Sequence, residues 1–320
     1  MLRMQKLASA IQDAAKKLLE EKKVDLVVGF SKGSLPLRST PCFIRKPEDA
    51  AKLTWDCSCE NNLANYLRKR QDRVAVVAKG CDVRSIVALI NENQIDRDNL
   101  FIIGVPCQGM IDRAKVDAAL EGKDLVAVEE KGDSLVLKAN GITIEVGTGD
   151  LTHDTCKVCR YGNPVIYDMM IGDPVPDKPE DNFADVAAFE ALSPAERRAA
   201  LAAEFSKCIR CYACRNACPM CYCAECFVDC STPAWLNKST GTDDNIMFQA
   251  GRVFHSAGRC ADCGACDRAC PMGINLRGMT RKMVKEVKEL FGYETGVNPD
   301  EKPALAEFKA DDPQPFLVKE

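Results

Sequence analysis

Val74-Ala75-Val76-Val77-Ala78-Lys79-Gly80-Cys81 and Leu100-Phe101-Ile102-Ile103-Gly104-Val105-Pro106-Cys107 decide the fold of the first half of the chain. Each is a short unbroken apolar run that ends in a turn and a cysteine, and a helix-like stretch, Val83 to Asn91, lies between them. Continuous apolar strands separated by helices read as parallel strands covered on both faces. Working outward, Met1 to Lys23 places Leu2, Leu7, Ile11, Ala15, Leu18 and Leu19 on one side of a helix, and Val24 to Gly29 follows as a buried strand. Asn61 to Arg70 is a further helix-like stretch, and Leu125 to Val128 reads as another strand. Ser134 to Lys138 and Ile142 to Val146, joined around Asn140-Gly141, read as a type I′ hairpin added to the same sheet. The expectation is an α/β N-terminal domain over 1–175, with a mixed, largely parallel sheet.

Gly172-Asp173-Pro174-Val175-Pro176-Asp177-Lys178-Pro179 cannot hold a helix or an inner strand, because proline lacks the amide donor that both need, so it marks a linker. Beyond it, Ser193-Pro194-Ala195-Glu196 carries a capping Ser, Pro at the first helical position and Glu at the third, and starts a helix running into Cys208. Asn245 to Ala257 and Asn275 to Phe291 are helical, with no strand signal among them. The expectation for 176–295 is an all-α two-cluster ferredoxin domain, followed by a polar C-terminal tail over 296–320.

The length of 320 residues suits two domains, and with 46% hydrophobic and 28% charged residues the chain can bury real cores. A net charge of -4 offers no general attraction to phosphate backbones, so nucleic acid is excluded as an expected partner. No apolar run approaches the ~18 residues that span a bilayer, and the N-terminus lacks the apolar core of a signal peptide, which points to the cytoplasm. Nineteen cysteines against two histidines then become the informative number, because thiols in a reducing compartment serve as metal ligands and not as disulfides.

Cys208-x2-Cys211-x2-Cys214-x3-Cys218-Pro219 recurs as Cys260-x2-Cys263-x2-Cys266-x3-Cys270-Pro271. This is the bacterial ferredoxin run, in which three thiolates wrap one cubane and the fourth ligates the other. One 4Fe-4S cluster is therefore assigned to Cys208, Cys211, Cys214 and Cys270, and a second to Cys260, Cys263, Cys266 and Cys218. A pair of zinc ribbons would give no reason for two four-cysteine runs that each end in Cys-Pro. Cys221, Cys223, Cys226 and Cys230 follow the first run, and their spacing admits either another 4Fe-4S cluster or zinc.

In the first half, Cys81 and Cys107 each sit just past the C-terminal end of a strand, the edge where open α/β sheets bind ligands. Cys156-x2-Cys159 supplies two more thiols, giving a further 4Fe-4S site on Cys81, Cys107, Cys156 and Cys159. Cys59 competes with Cys81 for the fourth place, whereas Cys42 and Cys57 have no evident role. His153 and His255 lie far from any acid or nucleophile pattern, and each is read as a satisfied or solvent-facing side chain. His255, ahead of Cys260, could also tune a cluster through hydrogen bonding.

Lys79-Gly80-Cys81-Asp82-x-Arg84, Gly104-Val105-Pro106-Cys107-Gln108-Gly109, and Cys156-x2-Cys159 with Asp168 to Asp173 resemble the beta subunits of F-420-reducing hydrogenases and F-420-dependent formate dehydrogenases. The first ferredoxin run with its Met220-Cys221-Tyr222-Cys223 extension, and Phe248-x2-Gly251-Arg252-x2-His255 ahead of the second, are closer to the formate dehydrogenase form. The resemblance implies FAD in the α/β domain and electron passage between a deazaflavin and iron-sulfur clusters. It places Gly80, Arg84, Gly109 and Met110 near the flavin, although no G-x-G-x-x-G fingerprint accompanies them. One departure stands out: the hydrogenase subunits have a further cluster cysteine between the Pro-Cys and Cys-x2-Cys elements, and Gln108 to Thr155 contains none.

The expected function is that of an iron-sulfur flavoprotein electron-transfer subunit of an anaerobic oxidoreductase. Electrons would pass between a hydride carrier, F-420-type or nicotinamide, and a partner such as a formate dehydrogenase, hydrogenase or heterodisulfide-reductase-like subunit. FAD is required because a two-electron carrier cannot exchange directly with one-electron clusters. The competing reading is a flavin-free polyferredoxin-like adaptor that wires two enzymes together.

Overall fold

The computed structural model describes residues 2–306 and Ala310, so 307–309 and 311–320 of the expected tail lie outside the described residues. The chain divides into two compact units, Met1–Val83 with Ile95–Asp181, and Arg84–Gln94 with Asn182–Glu320.

The first unit opens with α1 (Leu2–Glu20), which buries Ile11, Ala15, Leu18 and Leu19 as its periodicity requires. Its main sheet holds β1 (Leu26–Lys32), β2 (Ser39–Ile44), β3 (Val74–Ala78), β4 (Leu100–Gly104) and the short β8 (Met169–Met170), in the order β2-β1-β3-β4-β8. β1, β3, β4 and β8 run parallel, and β2 returns antiparallel on β1. All five residues of β3 are buried, as a strand covered on both faces should be. α2 (Gly80–Asn91) leaves β3, and α3 (Arg113–Ala119), capped by the Asp112 carboxylate on the Ala114 amide, follows β4.

Several expectations are corrected. Asn61 to Arg70 does not form an α-helix; only a 3-10 turn, Leu63–Tyr66, forms there. The hairpin does not extend the main sheet. β5 (Leu125–Lys131), β6 (Ser134–Ala139) and β7 (Ile142–Gly147) make a separate antiparallel sheet, whose Leu125, Leu135 and Leu137 pack with Ile111, Val116, Leu120 and Leu151. Its Asn140-Gly141 turn is not type I′, which needs both central residues at positive φ, because only Gly141 adopts it (φ +81°).

The larger correction concerns the second half, which is not an all-α ferredoxin domain. The protein as a whole is a mixed α/β fold in which α4 (Thr148–Leu151) and α5 (Asp154–Lys157) already complete the first unit's helices. The second unit has α6 (Ala184–Glu190), α7 (Pro194–Ser206), α8 (Ala213–Ala217), α9 (Thr242–His255), α10 (Ala265–Arg268) and α11 (Arg277–Phe291). They are separated by stretches such as 218–241 and 292–306 that hold no helix or strand. The physical reason lies in the cysteine runs. Thiols three residues apart on a continuous helix share one face, whereas ligands to a common centre must turn inward from several directions. Each run therefore breaks the helix with left-handed residues at equivalent places, Arg210 (φ 55°) and Tyr212 (φ 60°) in the first, Asp262 (φ 49°) and Gly264 (φ 69°) in the second.

Packing around these loops is polar as well as apolar. Ser193 and Glu196 close the capping box of α7 with both reciprocal bonds present. Asn245 on α9 is fully buried and donates to the carbonyls of Phe205, Cys208 and Thr240. Arg277 and Arg281 of α11 both grip Asp262, inside the second run, and Arg281 also binds Asp185 on α6. These ion pairs hold the loop where its own backbone makes no ladder.

Candidate metal centres

In the first unit, pairing of Ala78 with Gly104 sets the C-terminal ends of β3 and β4 side by side, so Cys81 and Cys107 emerge from neighbouring strands. The loop carrying Cys156 and Cys159 folds over that edge, with the Cys107 amide donating to Gly162 O at 2.8 Å. Gly109 (φ +131°) is required here: a Cβ would come within 3.0 Å of Thr152 and 3.4 Å of the Cys156 Cβ. Burial pushes the Cys107 thiol up to about 12, the nearby Cys156 and Cys159 add to that, and Lys79 opposes it. A group so buried loses its proton readily only to a metal.

Lys79 is 2% exposed and faces this group. Its Nζ donates to Asn61 O (2.7 Å) and to both Asp82 oxygens (3.1 and 2.9 Å), and it lies 5.2 Å from the Phe30 ring centroid. Burial disfavours the ammonium, but Asp82, Cys81 and Cys107 outweigh it and raise its pKa above the ordinary lysine value. Cys59 is fully buried with its sulfur accepting from the Asp56 amide at 3.4 Å, and burial drives its pKa up. Cys57 packs into the apolar cluster under the small sheet, and Cys42 stands opposite Gly29 on β2. His153 is buried between two carboxylates, Glu60 Oε2 at 2.8 Å and Asp112 Oδ2 at 3.4 Å.

The four positions associated with flavin are each engaged by the chain's own atoms. Gly80 packs against the chain, a Cβ there meeting Tyr161 O at 2.0 Å, and Met110 is buried. Arg84 belongs to the second unit, where its guanidinium binds Thr295 O (2.8 Å) and Ala261 O (3.1 Å), clamping the backbone next to Cys260. Residues taken up in this way by backbone and buried contacts do not fit a flavin cradle.

In the second unit, two cavities sort the ferredoxin cysteines. The smaller, about 10 Å³, is lined by Cys208, Cys211, Cys214 and Cys270. The larger, about 260 Å³, is lined by Cys218, Cys260, Cys263 and Cys266. The fourth cysteine of each run thus lies with the first three of the other. Burial pushes the Cys260 thiol up to about 12, with Asp262 adding to it. Cys221, Cys223 and Cys226 line the larger cavity too, and Cys218, Arg252 and Arg259 lie beside Cys221. Cys230 is not on that wall; its thiol donates to Cys226 O. Among the described residues, no three His, Cys, Asp or Glu side chains close on one point as a single ion requires.

Sequence reasoning noted Arg252 only as part of a motif and missed Gln249, Arg259 and Glu92. Arg259 binds Glu92 Oε1 and Oε2 (2.6 and 2.9 Å), and Tyr222 donates to the same carboxylate, tethering the cysteine loops to the end of α2. Gln249 lines both cavities, and Arg252 stands one turn further along α9. The one available signal was their three-residue spacing on a helix that leads into a cysteine run.

A family model, that of the C-terminal part of the coenzyme F-420 hydrogenase/dehydrogenase beta subunit, matches residues 71–187, a span that contains Cys81, Cys107, Cys156 and Cys159. Over that span the chain is similar to the beta subunits of F-420-dependent oxidoreductases. Among its relatives is the F-420-dependent formate dehydrogenase subunit beta of Methanocaldococcus jannaschii, 26% identical across 93% of this chain and 94% of that one. Another is the F-420-dependent formate dehydrogenase 1 subunit beta of Methanococcus maripaludis, 26% identical across 92% of each chain. A chain of the F-420-reducing NiFe hydrogenase complex from Methanosarcina barkeri aligns at 18% identity, over 47% of this chain and 58% of that one, with a TM-score of 0.36. No described helix is long and apolar enough to cross a membrane.

Proposed function

We propose that the chain is the iron-sulfur electron-transfer subunit of an anaerobic, cytoplasmic oxidoreductase, working with a catalytic subunit of the formate dehydrogenase, hydrogenase or heterodisulfide-reductase-like kind. The observation that carries this is the sorting of eight cysteines into two cavities with the fourth member of each run exchanged, the pattern of two-cluster ferredoxins. Cys208, Cys211, Cys214 and Cys270 would hold one 4Fe-4S cluster, and Cys260, Cys263, Cys266 and Cys218 the other. Cys81, Cys107, Cys156 and Cys159 would hold a third, supported by the sheet register, the folded-over loop and the mutual influence of Cys107, Cys156 and Cys159. Cys221, Cys223 and Cys226 are the candidates for an additional 4Fe-4S cluster or zinc.

Clusters held this way supply one-electron transfer. The chain's own residues bury the thiolates, exclude water and place cations beside them, as Lys79 does in the first unit and Arg252 in the second. The similar formate dehydrogenase subunits are F-420-dependent, and a hydride carrier of that type or a nicotinamide is the proposed electron donor or acceptor. Such a carrier calls for FAD on chemical grounds, whereas the packing of Gly80, Arg84, Gly109 and Met110 against the chain's own atoms supports the second reading, a flavin-free adaptor.

Anaerobic purification followed by iron, sulfide, zinc and flavin quantitation tests both. Three clusters' worth of iron and sulfide is expected, with Cys214→Ser and Cys107→Ser each removing one cluster. Iron-free folded protein would end the proposal, and flavin content decides between the two readings.

A further inference from the structure

We propose that Gln249 and Arg252 form a polar partition shared by the two ferredoxin-type sites, and that it raises the reduction potential of both clusters. The inference rests on the cluster assignment above. Both residues lie on α9, three apart and hence on one face. Gln249 is 2% exposed and lines both cavities. Its Nε2 donates to Cys208 Sγ at 3.7 Å, while its Oε1 accepts from Arg252 Nη1 at 3.1 Å, so the Arg252 bond holds the amide with its NH2 end facing the sulfur. Arg252 donates through Nη2 to Cys214 O at 3.2 Å, and its charge sits among Cys214 on one side and Cys218, Cys221 and Cys266 on the other. Its Nε is buried with no hydrogen-bond partner among the protein atoms. An orphaned buried donor is costly unless something accepts from it, and an anionic cluster in the adjoining cavity would be an acceptor of the right charge.

The electrostatic consequence has a definite sign. Each cluster gains one negative charge on reduction, and a fixed cation or a hydrogen bond to sulfur stabilises that charge. Arginine stays protonated throughout the working pH range, so this contribution is constant with pH. Arg252 acts on both clusters, and Gln249, whose sulfur contact is to Cys208, acts chiefly on the first.

EPR-monitored redox titration of the full-length protein, purified anaerobically, tests the inference against iron and sulfide content. Arg252→Gln is expected to keep its iron and to lower both midpoint potentials by about 59 mV or more, the one-electron equivalent of a tenfold change. Arg252→Lys, which retains the charge but not the fork, should lie between parent and Arg252→Gln. Gln249→Leu should lower one potential and leave the other in place. If Arg252→Gln does not load iron, the Arg252→Lys and Gln249→Leu titrations decide by the same criteria. Iron-replete variants with unmoved potentials would overturn the partition while leaving the cluster assignment standing, whereas an iron-free parent would overturn both.

Discussion

The two units collect cysteines by opposite means. In the first, Cys81, Cys107 and the Cys156–Cys159 pair come from separated points of the chain, and regular elements, two adjacent parallel strand ends and a short helix, bring them to one edge. In the second, eight come from two compact runs, and it is irregular backbone, with left-handed residues at matched positions, that turns them inward. Hydrogen-bond ladders position the first group. Buried side-chain bonds position the second, chiefly Asn245, Arg84, Arg277 and Arg281. The lesson is that a short cysteine spacing carries its own geometry, whereas distant cysteines need a sheet to register them.

Substitutions that strike one positioning device and spare the other sharpen this contrast. The largest effect is expected at the buried pair of the first unit, Lys79 with Asp82. Lys79→Ala strands a buried carboxylate and should cost about 3 to 5 kcal/mol, read by denaturant unfolding. The double variant Lys79→Met with Asp82→Leu should recover most of that loss, and equal destabilisation of both would show that the pair is not the source. Next, Gly80→Ala drives a Cβ to 2.0 Å from Tyr161 O, which is backbone and cannot swing away. It should cost at least about 1 to 3 kcal/mol, and iron analysis should show loss of the cluster proposed at Cys81 and Cys107, with those proposed for the second unit kept.

Asn245→Ala is the reciprocal test. It removes the donor to two buried carbonyls, Phe205 O and Cys208 O, and should cost about 1 to 3 kcal/mol, with iron lost from the cluster proposed at Cys208 and none from that proposed at Cys81. The smallest effect is expected at Asp112, whose carboxyl is held below its ordinary pKa by the His153 hydrogen bond. A lowered folded-state pKa favours the folded state above the ordinary carboxylate value, and that advantage disappears as pH falls through the lowered one. Asp112→Asn keeps the helix cap but removes the charge. It should cost about 0.5 kcal/mol at neutral pH, and melts below pH 4 should show a shallower acid limb than the parent.

Much of this was legible in the residues themselves. β3 and β4 follow from apolar runs with no polar face, and α7 from a capping box that the structure reproduces bond for bond. The expected exchange of Cys218 and Cys270 came from the likeness of the two runs to the bacterial ferredoxin pattern, and the cysteines lining the two cavities are grouped in the same way. Asn61 to Arg70 misled because an apolar repeat is also met by a 3-10 turn packed under a sheet, and tertiary contacts outrank propensity. The C-terminal half misled for a related reason: absence of strand signals says nothing about how much of the remainder is helix.

What the sequence by itself determined are the local features, meaning strand runs, caps and cysteine spacings, because these depend on neighbours within a turn or two. Only the tertiary structure decided that Arg84 clamps Ala261 and Thr295, that Lys79 faces Cys81 and Cys107, and that Gln249 lines both cysteine-walled cavities. Those contacts join residues up to hundreds of positions apart, and a buried charge or amide finds its partner by shape and desolvation, which no spacing in the chain encodes.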